Sequence, residues 1–188
     1  EKVIRLLVEY YRTGDLKLFD QYSIEWLREE TANIDFINGF IEVYGDPLAR
    51  KASWESVVEI TDHEACERTR KLAENALWFE QHAPVDERFK KDQVKGVTAR
   101  VMQVAMLGGD CHPATPIGIN LPNAEWIRER YGSKSVTLDN ITYAYDMAAK
   151  TSGVLDEFAA SDEEIRLARE YGSLGSSIHT DLHECLGH

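Results

Sequence analysis

Apolar positions recur with a helical period at the start of the chain. Val3, Ile4, Leu7, Val8 and Tyr11 fall on one face of a helix over residues 1–12. Gly14 and Asp15 predict its end and the cap of a second helix, whose apolar face is Leu18, Phe19, Tyr22 and Trp26. The pattern then changes. "NIDFINGFIEVYGDP" is rich in Ile, Phe, Val and Tyr and closes on Gly-Asp-Pro, which predicts extended structure ended by a turn. Asn38 and Gly39 fit a hairpin turn. Gly39 equally fits a strand that other backbone approaches closely.

From Ser53 or Ser56 to about His82 the spacing predicts a helix. Val58, Ala65, Leu72 and Phe79 recur at heptad intervals, and Ser56 with Glu59 fits a capping box. "VTARVMQVAML" reads as a strand stopped by Gly108 and Gly109, and "DCHPATPIGINLPN" as a constrained loop. "NAEWIRERYG" predicts a short helix ending at Gly132. "SVTLDNITYAYDMAAK" is expected to be helical in its second half. Ser161, Asp162, Glu163 and Glu164 form another capping box, opening a helix to Tyr171, and after "GSLGSS" a last helix begins. The mixture reads as an α+β fold dominated by helices.

Composition narrows the classes. The 188 residues are 43% hydrophobic and 29% charged, enough for a packed core. A formal net charge of −12 argues against nucleic acid and anionic membranes as partners, and suits ligands that carry positive charge. Cys66, Cys111 and Cys185 are odd in number and far apart, so a reducing, cytoplasmic compartment is expected. The chain starts without Met and stops on a potential metal ligand, so both ends read as cuts in a longer protein.

The candidate chemistry sits in the final residues, His183-Glu184-Cys185-Leu186-Gly187-His188. In H-E-x-x-H the two histidines share a helix face and can bind one zinc, with the glutamate as general base. Here one extra residue intervenes. On a regular helix it would turn His188 by roughly 140° from the face of His183. Convergence on one metal then needs a bulge, for which Gly187 has the backbone freedom. A competing pair is His179 and His183, which stand at i, i+4 without any bulge. Within Asp110-Cys111-His112, Cys111 and His112 form a weaker candidate nucleophile pair.

These residues resemble the dipeptidyl peptidase III family of zinc exopeptidases, whose signature is H-E-x-x-G-H, with Cys in the third position in bacterial members. "NGFIEVYGDP" is similar to the family's "GFIESYRDP", and "PIGINLPNAEWIR" to its "GINIPN" loop and following helix. The segments keep the family's order across essentially the whole chain.

The resemblance implies an incomplete bilobal peptidase that takes dipeptides from the amino terminus of short peptides. A β-containing lobe would hold residues 1–55 and 95–152, and a helical zinc-carrying lobe residues 56–94 and 153–188. It also implies Zn2+ held by His183 and His188, Glu184 as general base, and Asn120 and Asn123 as partners of the substrate backbone and its amino end. Asp35 falls where the family has a glutamate that receives the peptide's ammonium group, and Glu42 is a second acid that could take that role. Two positions depart from the pattern: Ile37 stands where a tyrosine is usual and Gly45 where an arginine is usual. The third zinc ligand, a glutamate in a downstream E-E-C-R-A motif, would come from the rest of the chain. The 188 residues alone are therefore expected to be inactive and to bind zinc weakly. The alternative is a non-catalytic module that grips peptide termini with Asp35, Asn120 and Asn123. Trp26, Trp54, Trp78 and Trp126 are expected in the core or at a lobe interface.

Overall fold

The structure, a computed structural model, describes residues 1–42, 48, 52–94, 99–112 and 115–186, with the side chain of Leu186 excepted. Among them lie eight α-helices and one five-stranded mixed sheet, an α+β arrangement. The chain divides into two compact units. The first comprises residues 1–33 and 120–134, the second residues 34–119 and 135–188.

The first unit is built on helices α1 (Lys2–Thr13), α2 (Leu16–Arg28) and α5 (Glu125–Tyr131). Gly14 ends α1 in the left-handed region (φ 71°), where its N–H donates to the Tyr10 carbonyl at 2.7 Å. Asp15 then caps α2, accepting from the Lys17 N–H at 2.9 Å. Leu7, Tyr10, Tyr22, Trp26, Leu121 and Ile127 are buried, whereas Ile4, Val8 and Tyr11 of the expected α1 face are exposed. Lys134 is buried here. Its Nζ donates to the carbonyls of Trp26 and Glu29, both at 2.8 Å, and lies 4.1 Å from the Trp26 ring centroid. A cation at the carbonyl end of α2 satisfies acceptors that the helix cannot satisfy itself.

The second unit holds the sheet, in the order β1 (Ile34–Glu42), β2 (Ser53–Thr61), β3 (Ala99–Gly109), β5 (Lys134–Leu138), β4 (Gly118–Leu121). Strands β4 and β5 continue at one end into the first unit. The β1–β2 and β2–β3 pairs are antiparallel and β3–β5 is parallel. Met102, Val136 and Leu138 form a buried cluster against which Val104, Ile119 and Ile141 pack.

Three sequence expectations change. Gly118–Leu121, read as part of a constrained loop, is strand β4, and of the two readings of Asn38 and Gly39 the hairpin turn is excluded, since they pair with Ser56 and Glu55 in the middle of β1. The helix expected from Ser53 or Ser56 is strand until Thr61, so Ser56 and Glu59 are no capping box. Val57, Val58, Ile60 and Thr61 are β-branched and alternate across the sheet, with Val57 buried and Ile60 exposed. The helical cap is Asp62, which accepts from the Ala65 N–H at 2.9 Å and opens α3 (His63–Glu74), followed by α4 (Ala76–His82).

The third change is at "GSLGSS", which does not divide two helices. A single helix, α8, runs Asp162–Leu186. The capping box at its start is present. Ser161 Oγ accepts from the Glu164 N–H at 3.3 Å, while Glu164 Oε2 reaches back to the Ala160 N–H at 2.8 Å. Glycine weakens a helix by only about 1 kcal/mol per residue, which packing against α3 and α6 (Asp139–Thr151) outweighs.

Of the four tryptophans, Trp26 is buried, while Trp78 and Trp126 are exposed within the described chain. Gly45 lies outside the described residues.

Candidate metal and peptide site

The end of α8 shows one face inward and one edge to a cavity. Thr180, Asp181, Glu184 and Cys185 are buried, a stripe set by the helical period. His179 and His183, one turn apart, lie exposed along the neighbouring edge. A cavity of about 340 Å³ is lined by Ile117, Gly118, His179, Thr180, His183 and Glu184. The helix is regular through Leu186. Gly187 and His188, which carry the second imidazole of the motif and the expected bulge, lie outside the described residues. Among the described residues no cluster of three or more His, Cys, Asp or Glu is arranged to hold a metal.

Gly118 is a feature that motif reading passes over. A Cβ at this position would collide with Oε1 of Glu184 and stand 2.7 Å from its Cδ. The carboxylate therefore occupies the space a side chain would need. The signal was a glycine between two isoleucines in "PIGIN", a composition that often marks close approach in a strand.

Within the stripe, Asp181 has no exposure. Arg68 of α3 donates through Nε to Asp181 Oδ2 and through Nη2 to Asp139 Oδ1 at 3.3 Å. Burial pushes the Asp181 carboxyl up, against the pull of the Arg68 guanidinium. Burial also pushes the Cys185 thiol up, as expected of a small core residue rather than a reactive one.

The two candidate acids stand at opposite ends of β1. Asp35 is buried, with Oδ1 accepting from the Phe36 N–H at 2.8 Å and Oδ2 3.7 Å from Arg100 Nη1. Ile37, where the family pattern has tyrosine, is buried in the same strand. Glu42 is half-buried at the far end, opposite Ser53. Seven residues of extended chain separate the two carboxylates by about 20 Å, so they cannot serve one ammonium group together.

Asn120 and Asn123 belong to the first unit. Asn120 is half-buried at the end of β4, and Asn123 is exposed just ahead of α5. The peptide bond between them, Leu121–Pro122, is cis.

The Cys111–His112 pair is not a nucleophile. Cys111 is fully buried against Glu55, and burial, with the Glu55 charge next, raises its thiol to about 11. A thiol held protonated there is the opposite of an activated one.

The sequence matches Peptidase family M49 over residues 1–188. It is 28% identical to dipeptidyl peptidase 3 of Dictyostelium discoideum over 186 residues, covering 99% of this chain and 26% of that protein. It is 26% identical to dipeptidyl peptidase 3 of Nematostella vectensis over 181 residues, covering 96% of this chain and 24% of the relative. The fold is similar to that of the dipeptidyl peptidase III structure from Caldithrix abyssi. The TM-score is 0.71 at 24% identity, over 88% of this chain and 31% of that one. The chain thus spans about a quarter of the length of the curated relatives it matches. A match that runs from the first residue to the last, through the glutamate that Gly118 accommodates, leads to one conclusion: the chain belongs to peptidase family M49.

Proposed function

We propose that this chain is part of a zinc-dependent dipeptidyl peptidase that releases dipeptides from the amino terminus of short peptides. The observation that carries the reading is the family match over the whole chain, which includes a buried glutamate beside a histidine-lined cavity. The donor set suits zinc: His183 is exposed at the cavity, and Glu184 is held next to it by the space Gly118 leaves open. His183 and His188 would hold the ion, with a third ligand from the rest of the chain.

When bound, zinc supplies Lewis-acid charge that polarises the scissile carbonyl and makes water acidic near neutral pH. Glu184 accepts the proton of the attacking water on its carboxylate and returns it to the departing amine. Asn120 and Asn123 offer donor and acceptor together, which is what pairing with a peptide backbone requires. An exopeptidase must measure from a charged end, and Asp35 or Glu42 receives the substrate's ammonium group.

The test is Glu184→Ala in the full-length protein, assayed on a dipeptidyl-naphthylamide with peptide affinity measured in parallel. Turnover is expected to fall roughly 100- to 10,000-fold with affinity kept. Peptide binding without turnover in the unaltered full-length protein, with affinity unaffected by Glu184→Ala, would favour the non-catalytic module; undiminished turnover in Glu184→Ala would overturn Glu184 as the base. A second metal reading rests on His179 and His183 lining the same cavity. His188→Ala abolishes zinc binding on the first reading and spares it on the second.

A further inference from the structure

Asp181 is a charged residue with no exposure, on the helix that carries the candidate catalytic glutamate. An ionised carboxylate in that position is costly unless matched, and an apolar side chain would pack there at least as well. What a guanidinium partner adds is direction. Its planar fork fixes angles as well as distance.

The fork here spans three helices. Arg68 on α3 holds Asp181 on α8 through Nε and Asp139, the first residue of α6, through Nη2. Helix α3 is itself tied to the sheet. Thr69 Oγ1 donates to the Ala99 carbonyl at 2.7 Å, and Cys66 Sγ accepts from the Val101 N–H at 3.3 Å. A continuous chain of directional contacts therefore runs from β3 through α3 to α8. Asp181 precedes His183 by two residues and Glu184 by three, and neither it nor Arg68 lines the cavity. A rotation of only about 10° about the helix axis moves an atom at the outer radius by about 1 Å.

We infer that Arg68 and Asp181 are positioning residues for the peptidase chemistry proposed above: their ion pair sets the rotation of α8 and thereby the place of the Glu184 carboxylate at the cavity. The inference rests on that functional reading. Asp139 holds the second arm of the fork.

The experiment uses the full-length protein, with Arg68→Met, Arg68→Lys and Asp139→Asn beside the unaltered enzyme. It measures kcat and KM on a dipeptidyl-naphthylamide, zinc stoichiometry and the thermal midpoint. Arg68→Met is expected to lower kcat on the order of 100-fold. KM is expected to stay within about twofold, with zinc retained, because substrate and metal contacts are left in place. Arg68→Lys keeps the charge and loses the fork, and is expected to recover about 10-fold of that loss. Asp139→Asn, which releases one arm, is expected to cost about 3-fold in kcat, less than loss of the whole fork.

Wild-type kcat in folded Arg68→Met overturns the inference. So does a loss of kcat that merely follows the unfolded fraction and is not restored by Lys. Should Arg68→Met fail to fold, wild-type kcat in both Arg68→Lys and Asp139→Asn overturns it. An unaltered full-length enzyme that releases no dipeptide sinks the functional reading itself, and is thereby distinguished from an active enzyme indifferent to these substitutions.

Discussion

Gly118 and Glu184 share one space: a methyl group on Gly118 would meet the carboxylate head-on, 2.7 Å from its Cδ. Gly118→Ala must therefore displace the carboxylate, the strand or both. Because the atoms met are the far end of a flexible side chain and Gly118 is only half-buried, we expect the carboxylate to move and the stability cost to stay below about 1 kcal/mol. On the proposed function, displacement of the Glu184 carboxylate in the full-length protein should cost turnover more than substrate affinity. Thermal unfolding and steady-state kinetics on the one variant check both. Wild-type stability together with wild-type kcat would refute the close approach.

Asp62 should make stability depend on pH through the start of α3. The N–H of Ala65 holds the Asp62 carboxyl below its ordinary range. A carboxyl whose folded pKa is depressed stabilises the fold at pH values above its unfolded pKa, and that contribution disappears as pH falls through the lower folded value. Asp62→Ala is therefore expected to cost about 1 kcal/mol at pH 7. The difference from the unaltered protein should shrink below about pH 4, the ordinary range of an aspartate. Denaturant titrations at both pH values measure it.

Gly172 and Gly175 should be replaceable with gain. Both lie inside α8, and a Cβ at either meets nothing within 4 Å. Alanine there is expected to raise stability by about 0.5–1 kcal/mol per site, by restricting the unfolded chain. A lower thermal midpoint in the double variant would contradict a continuous helix.

Cys111 should resist thiol reagents in the native protein. Burial pushes its thiol up to about 11 and leaves it without exposure, so at pH 8 it is neither ionised nor reachable. Alkylation followed by mass mapping is expected to leave Cys111 unmodified until denaturant is added. Rapid labelling at pH 8 would contradict its burial against Glu55.

Much of this arrangement was legible in the sequence where local chemistry decides it. Gly14 and Asp15 ended one helix and capped the next, Gly132 ended α5, and the box at Ser161 and Glu164 opened α8. Each of these is a backbone requirement met by one or two neighbouring residues. The failures lie where distant partners decide. Val58, Ala65, Leu72 and Phe79 kept a heptad spacing by coincidence across a strand and two helices. Pairing with β1 and β3 made the first part of that stretch a strand. The glycines of "GSLGSS" looked like a break because their cost is local, whereas the packing that offsets it is not. At the candidate site, the motif singled out Glu184 and His183, whose catalytic and metal roles are proposals. It could not name Gly118 or Arg68, which reach the same helix from far along the chain.

The first unit is stitched from two stretches, residues 1–33 and 120–134, and its buried lysine comes last. During synthesis α1 and α2 emerge long before Ile127 and Lys134 exist to complete their packing. The helical pair must wait, partly uncovered, while strands β1 to β3 are made. Truncation anywhere before residue 134 would strand it in that condition, so a fragment that ends inside the sheet should be prone to aggregate.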